Sequence, residues 1–289
     1  MDQRKKHKES SSKSRTKNAK KLFRSKQYLS KANRIILKIG TSNITGTRSV
    51  ISRRKVKKIV NEIIDLRRNG RKIIIVTSGA IAAGVGDMDL KGRPKPISHL
   101  QAVAAVGQSV LMNTYAHYFK QHNQPIAQLL LTRSDFSEHR RFQNLSNTIE
   151  TLLSWNVIPI INENDTVAVD EIKFGDNDNL AALLSVNVKA DLLILLSDVN
   201  GIYTGDPKSL EKVEPIKIVT SITPELEKMA GKANKGSGGM ITKIQAARTT
   251  LKAGIPIVIV DGAEEKVLKK IFSGEDVGTM FVPEEMIER

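Results

Sequence analysis

Ten side chains that can bind polar ligands lie in one short segment, residues 162–179. The segment reads N-E-N-D-T-V-A-V-D-E-I-K-F-G-D-N-D-N and holds six carboxylates and four asparagines in eighteen residues. Carboxylate and amide oxygens are the ligands that hard cations prefer, and they also bind polar organic molecules. The chain as a whole is strongly basic, with a formal net charge of +16. The segment is therefore the first candidate for a site that binds a metal ion or a polar substrate.

Two simpler interpretations of this acidic segment must be weighed. It could be a surface loop that only keeps the protein soluble. A calcium loop of the EF-hand type is excluded, because that pattern requires Asp or Asn where the chain has Leu180 and Gly where it has Ala181. Apolar residues alternate between positions 167 and 174, which predicts a hairpin between two polar clusters.

Three glycine-rich segments could bind phosphate groups: 38–42 (K-I-G-T-S), 77–80 (T-S-G-A) and 236–243 (G-S-G-G-M-I-T-K). Backbone N–H groups in such loops can approach an anion closely, although tight turns also require glycine. Lys38 lies inside an apolar run, so its burial requires an anionic partner. Lys243 lies four residues after the last glycine, which is not the P-loop spacing, and a solvated surface lysine is the alternative there.

The sequence thus offers two lysines, several anion-binding loops and a carboxylate cluster that could hold Mg²⁺. Groups of these kinds catalyse phosphoryl transfer. In that chemistry, positioning and charge neutralisation supply most of the catalysis. The five histidines lie in polar contexts and are predicted to be surface residues: His7, His99, His117, His122 and His139. No catalytic arrangement of serine, histidine and an acidic residue can be recognised in the sequence.

The elements that would position these residues alternate regularly along the chain. Short apolar runs predict strands at 35–39, Lys72–Thr77, Ile126–Leu131, 157–161, 191–197 and 255–260. Helical spacing predicts helices at 54–69, 98–121, 142–156, 177–188, 240–253 and 267–272. This alternation predicts an α/β fold with a mostly parallel central sheet that is covered by helices on both faces. In such folds the binding site lies at the carboxyl ends of the strands.

Charge and composition divide the chain into parts. Residues 1–34 hold thirteen Lys and Arg against two acidic residues, and we expect residues 1–33 to be a disordered basic tail. The folded domain is expected at 34–283, followed by a short tail at 284–289. There is no apolar signal segment, no membrane span and no cysteine, which fits a reducing cytoplasm. The basic tail leaves nucleic-acid binding open as an alternative function.

Four motifs resemble one known family. They are V-T-S-G-A-I at 76–81, A-V-G-Q at 105–108, I-N-E-N-D at 161–165 and G-D-N-D-N at 175–179. In order and spacing they are similar to those of the glutamate 5-kinases of the amino acid kinase family, over about residues 34–283. The resemblance implies a three-layer αβα sandwich that binds ATP toward its C-terminal half and glutamate toward its N-terminal half.

The resemblance also implies a role for each matching residue. The implied catalytic residues are Lys38, Lys243 and Asp178. The implied ATP-binding residues are Lys38, Ser197, Asp198, Ser237, Gly238, Gly239, Met240, Ile241, Thr242 and Lys243. The implied substrate-binding residues are Ser78, Asp165 and Asn177, supported by Asn162 and Asp176. Serine stands at 197 and 237, where the family pattern has threonine, so the hydroxyl is retained. No residue is assigned to metal binding.

The implied activity is phosphorylation of the side-chain carboxylate of L-glutamate by ATP and Mg²⁺, the first step of proline biosynthesis. A glutamate carboxylate is ionised at neutral pH, because its pKa is about 4.3, and so no general base is needed.

Implied partners are further copies of the chain, through a region matching 132–147, and a glutamyl phosphate reductase. No membrane partner is implied, and nucleic acid is not a favoured one. The C-terminal RNA-binding-like (PUA) domain of many family members is expected to be missing. Another amino acid kinase, specific for acetylglutamate or aspartate, is the main alternative.

Overall fold

The computed structural model describes residues 27–47, 50–167, 177–205, 213–232 and 239–288. Its strands are β1 (Arg34–Ile39), β2 (Lys72–Thr77), β3 (Ile126–Leu131), β4 (Ile158–Glu163), β5 (Leu192–Ser197), β6 (Ile202–Tyr203), β7 (Pro215–Ile216), β8 (Ile218–Val219), β9 (Ile257–Asp261) and β10 (Thr279–Phe281). Its helices are α1 (Arg53–Arg68), α2 (Ala80–Asp87), α3 (Ile97–Lys120), α4 (Ser134–Ser137), α5 (His139–Ser154), α6 (Asn177–Asn187), α7 (Pro224–Lys232), α8 (Met240–Lys252), α9 (Val267–Ser273) and α10 (Glu285–Glu288).

Eight of these strands form one sheet in the order β3-β4-β2-β1-β5-β9-β10-β8. The pairs from β3 to β9 are parallel, and β10 runs antiparallel to β9 at the far side. The central strands are buried on both faces, which explains why their sequences are almost continuously apolar rather than alternating. Strands β6 and β7 form a separate antiparallel pair.

Helices cover both faces of the sheet. On one face, apolar residues of α1, α3 and α9 pack against the sheet in one buried cluster. On the other face, α5, α6, α7 and α8 contribute to a second cluster. The three-layer αβα sandwich with a mostly parallel sheet is therefore confirmed.

The chain is ordered beyond both ends of the predicted 34–283 domain. Residues 27–31 form a helical turn, and Leu29 and Ala32 are buried in the core, so the end of the predicted 1–33 tail needs correction. At the other end, α10 lies within the predicted 284–289 tail, and Ile287 is buried. Apolar side chains at both ends pack beside the sheet. Their burial offsets the conformational entropy that these two chain segments lose when they become ordered. Residues 1–26 lie outside the described part of the chain.

Helices α2 and α3 touch backbone to backbone. A Cβ atom added at Gly107 would lie 1.8 Å from the carbonyl oxygen of Ala80, and one at Gly84 would lie 2.0 Å from that of Val103. Only glycine fits at such a contact. The contact fixes α3 against the first turn of α2, which follows the end of β2.

No helix among the described residues has the length and apolar character that a membrane crossing requires.

Candidate active site

The carboxyl ends of four strands meet at one edge of the sheet. In the strand register, Ile39 lies beside both Thr77 and Leu196, and Ser197 lies beside Asp261. The polar residues that follow these strands are therefore brought together, as the open parallel sheet predicts.

The centre of this edge is an ion cluster of Asp178, Lys38 and Lys243. Asp178 lies in the first turn of α6 and is 1% exposed. Its Oδ1 atom is 2.6 Å from Nζ of Lys38 on β1, and its Oδ2 atom is 3.1 Å from Nζ of Lys243 on α8. Thr242 donates a hydrogen bond of 2.9 Å to the same Oδ2 atom. Both lysines are themselves buried, so one carboxylate holds two buried ammonium groups in place.

The electrostatics of the cluster favour an added anion. Burial by itself raises the pKa of Asp178, but the charges of Lys38 and Lys243, together with hydrogen bonds from Lys38 and Thr242, outweigh it and lower that pKa to about 2. The carboxylate is therefore ionised at neutral pH. These three side chains carry two positive charges and one negative charge, which is an excess of one positive charge among the three. An anionic ligand such as a phosphate group can compensate this excess.

Asn43 fixes the glycine loop that follows β1. Its Nδ2 group donates to the carbonyl oxygens of Leu196 (3.0 Å) and Ser197 (3.1 Å), and the backbone N–H of Gly40 donates to Leu196. A Cβ at Gly262 would lie 2.2 Å from Oδ1 of Asn43, so the loop after β9 packs against the same side chain. Asn43 was missed by sequence reasoning, because an asparagine after a glycine turn is ordinary.

A second group of polar side chains borders the ion cluster. The Nδ2 group of Asn177, the residue before Asp178, contacts the carbonyl oxygen of Thr77 (2.6 Å), Oγ of Ser78 (2.9 Å) and Oδ1 of Asn162 (2.9 Å). Asn162 in turn donates to Oε1 of Gln108 on α3, at 2.8 Å. We call Gln108, Asn162 and Asn177 the amide ladder. It links the end of β2 to α3 through the end of β4.

A cavity of about 270 Å³ lies next to Gln108. Its walls come from α3, from β3 and from the turn after β4, and they include Glu163 and Asp165. Liquid water occupies about 30 Å³ per molecule, so a small organic ion has room there. Two acidic residues in the walls suit a ligand that carries an ammonium group.

Most of the predicted site residues meet at this edge. Lys38, Asp178 and Lys243 form the ion cluster, and Thr242 donates a hydrogen bond to it. Asn162 and Asn177 belong to the amide ladder, and Ser78 contacts Asn177. Ser197 is buried at the end of β5 and donates to Oδ1 of the exposed Asp198, at 3.2 Å. Gly239 precedes α8, which begins with Met240 and Ile241.

Three predicted site residues lie outside the described residues: Ser237, Gly238 and Asp176. The predicted hairpin after position 167 also falls there. The histidines of the described part lie away from the cluster: His99, His117 and His139 are exposed, and His122 contacts Asn61.

Among the described residues, no group of three His, Asp or Glu side chains is placed to hold a metal ion. Both oxygens of Asp178 already contact lysines. In proteins, Mg²⁺ is commonly bound through one or two carboxylates together with the phosphates of a nucleotide.

Fold and site together define an α/β phosphotransferase of a known class. A family model described as the amino acid kinase family matches residues 33–261, and the chain belongs to that family.

More specific similarity comes from three glutamate 5-kinases. The protein of that name from Thermoanaerobacter sp. (strain X514) is 46% identical over 252 residues, which cover 86% of this chain and 68% of that protein. The one from Clostridium acetobutylicum is 44% identical over 259 residues, 89% of this chain and 97% of that one. The one from Clostridium tetani is 45% identical over 261 residues, 90% of this chain and 98% of that one.

Among solved structures, a carbamate kinase from Giardia lamblia bound to AMP-PNP superposes with a TM-score of 0.60. The superposition covers 88% of this chain and 100% of the carbamate kinase chain. The sequence identity is 17%, so this comparison shows the fold alone. The resemblance drawn from the four motifs is thus confirmed.

Proposed function

We propose that this protein phosphorylates the side-chain carboxylate of L-glutamate with ATP, and so forms L-glutamyl 5-phosphate, the first step of proline biosynthesis. One observation carries the proposal. Asn177 and Asp178 are adjacent at the start of α6, and they join a lysine cluster suited to phosphate to a polar group suited to an amino acid. The three similar glutamate 5-kinases support this choice of substrate.

The first task of the site is to bring two anions together. At about 4 Å and an effective dielectric of 20, two unit charges of the same sign repel by about 4 kcal/mol. Lys38 and Lys243 offset this repulsion, because each of them places a positive charge beside the position proposed for the phosphates. The carboxylate oxygen of glutamate forms a bond to the γ-phosphorus as the bond to the β-phosphate oxygen breaks. The released negative charge passes to ADP, beside the same lysines.

Asp178 acts as a positioning residue in this scheme. Both of its carboxylate oxygens contact lysine ammonium groups, and in this scheme it holds these groups where the phosphates must lie. Because these groups are fixed before the substrates bind, little reorganisation is needed during the reaction. Mg²⁺ on the ATP phosphates would supply further charge neutralisation.

The amino-acid end of the substrate is assigned to the turn after β4 and the end of β2. Asp165 is proposed to bind the ammonium group of glutamate, and Ser78 and Asn177 to bind carboxylate and ammonium groups from the side of the ion cluster. Asn162 supports them, because it holds the amide of Asn177 in one orientation.

Two kinds of protein partner are also proposed: further copies of this chain, and a reductase that uses the product. Strand β3 lies at the edge of the sheet, so its outer side has no neighbouring strand among the described residues. An open strand edge favours pairing with another chain, so we propose a homo-oligomer. Because an acyl phosphate hydrolyses readily, we also propose a reductase that consumes the product. Light scattering across a concentration series tests the first proposal. The yield of reduced product in a coupled assay with glutamyl phosphate reductase tests the second.

The activity itself is tested by trapping the acyl phosphate with hydroxylamine. The purified protein is incubated with MgATP, hydroxylamine and L-glutamate, N-acetyl-L-glutamate, L-aspartate or carbamate in parallel. We expect the hydroxamate to form fastest with L-glutamate and not to form without ATP. A clear preference for acetylglutamate or aspartate would contradict the proposed substrate and would favour another member of the family.

A further inference from the structure

The A-V-G-Q motif at 105–108 has no role in the proposed function so far, yet its last residue is a buried polar side chain that borders the site. Gln108 is 9% exposed, and its Oε1 atom accepts from Asn162. Its Nε2 group is buried and has no hydrogen-bond partner within the described residues. A buried amide donor without a partner is costly, so such a group in a site commonly awaits a ligand.

At the other end of the amide ladder, Asn177 presents a hydrogen-bond acceptor instead of a donor. Oδ1 of Asn177 is buried and likewise has no hydrogen-bond partner in the part of the chain that the structure describes. The hydrogen bonds between the three amides fix the orientation of each one. The ladder therefore presents one donor, at Gln108, and one acceptor, at Asn177. A donor for a carboxylate and an acceptor for an ammonium group match the two charged groups of an α-amino acid.

Position decides which carboxylate Gln108 can bind. Asn177 adjoins Asp178 in the ion cluster, where the reacting carboxylate must lie. Gln108 is two hydrogen bonds farther along the ladder, and it lines the cavity that also includes Asp165. The glycine contact between α2 and α3 fixes this position, because Gly107 immediately precedes Gln108.

We propose that Gln108 binds the α-carboxylate of the amino-acid substrate through its Nε2 group and thereby selects substrates that carry this carboxylate. This inference rests on the proposed function. It adds a specificity-determining residue to that function, on a helix that contributes none of the residues assigned so far.

The sharpest variant is Gln108→Glu. It keeps an oxygen that accepts from Asn162, so the ladder persists, but it replaces the donor by a carboxylate. The variant should repel the α-carboxylate of L-glutamate and accept from the α-amide of L-glutamate, in which that carboxylate is a carboxamide. Gln121→Glu is the matched control, because it makes the same change at the exposed C-terminal end of the same helix.

The measurement is kcat/KM for L-glutamate and for its α-amide, with KM for ATP and the melting temperature as checks. For Gln108→Glu we expect KM for L-glutamate to rise about 10- to 100-fold, as the loss of a charge-assisted hydrogen bond predicts. The preference for glutamate over the α-amide should fall by a similar factor, while KM for ATP stays within about twofold. Gln121→Glu should match the wild type.

An equal loss with both substrates, an unchanged KM for glutamate, or a folded variant that does not use the α-amide would each overturn the inference. If Gln108→Glu does not fold, Gln108→Met replaces it, and a lowered discrimination between the two substrates is then expected; unchanged discrimination overturns the inference. A wild type that fails to phosphorylate glutamate would instead refute the proposed function itself, so the two failures are distinguishable.

Discussion

Replacing Asp178 by Asn removes a negative charge that pairs with two buried lysines. The pKa of Asp178 falls from its ordinary 3.8 to about 2 in the folded protein. At about 1.4 kcal/mol per pKa unit, a lowering of this size corresponds to a contribution of about 2 kcal/mol to stability. Leaving buried charges without their partner costs about 3–5 kcal/mol in other proteins. We therefore expect Asp178→Asn to lose about 2–5 kcal/mol, or about 5–15 °C in melting temperature.

The pH dependence of that loss follows from the direction of the shift. Because the folded pKa is lowered, the contribution of Asp178 is fully present above its ordinary 3.8 and disappears as the pH falls through about 2. The difference in unfolding free energy between wild type and Asp178→Asn should therefore be constant from pH 7 to about pH 5 and shrink below that. Denaturant unfolding at several pH values measures it.

Kinetics separate the catalytic consequence from the loss of stability. In Asp178→Asn both lysines lose the carboxylate that fixes their positions, so kcat should fall by about 10²-fold or more while KM for ATP does not rise. Asp191→Asn is the control. Asp191 accepts hydrogen bonds from the backbone N–H groups of Asn33 and Arg34 at the opposite end of the sheet, so this variant should lose stability but keep kcat. A stable and fully active Asp178→Asn protein would refute the role of the cluster.

Three further variants test other parts of the site. Lys243→Ala should lower kcat by about 10²- to 10³-fold with little change in KM for glutamate, because the lysine acts on the transferred phosphoryl group. Asp165→Ala should instead raise KM for glutamate by about 10- to 100-fold, and a reversed pattern in steady-state kinetics would contradict both roles. Gly107→Ala should destabilise the protein by about 1–3 kcal/mol or more, since its Cβ meets backbone, whereas Gly92→Ala, with no atom within 4 Å of its Cβ, should not. Thermal unfolding of the two glycine variants checks this contrast.

Much of the fold could be predicted from the sequence. Strands β2 and β3 have the predicted bounds, because each is a short, mainly apolar run between polar turns. Helix α2 was missed, because its sequence A-I-A-A-G-V-G-D contains two glycines that lower helix propensity. Its packing against α3 makes the helix stable, and that contact cannot be read from local sequence. Strand β10 was missed because it has only three residues, and helix α7 was missed as well.

The candidate site was predictable in its parts but not in its arrangement. A lysine inside the apolar strand β1 required an anionic partner, and Asp178 is that partner. The amide ladder had no comparable signal. Its members Gln108, Asn162 and Asn177 lie on three separate elements, and glutamine or asparagine at such positions is ordinary on a surface. Only the fold shows that these side chains are buried and joined.

The most direct test of the account follows one oxygen atom. L-Glutamate labelled with ¹⁸O in its side-chain carboxylate is incubated with the protein, MgATP and hydroxylamine, and the released phosphate is analysed by ³¹P NMR. If the carboxylate attacks the γ-phosphorus directly, its oxygen stays on phosphorus when hydroxylamine attacks the acyl carbon. Each phosphate formed in step with the hydroxamate then carries one ¹⁸O atom. Phosphate without ¹⁸O would show that water, and not glutamate, receives the phosphoryl group, and would contradict the account.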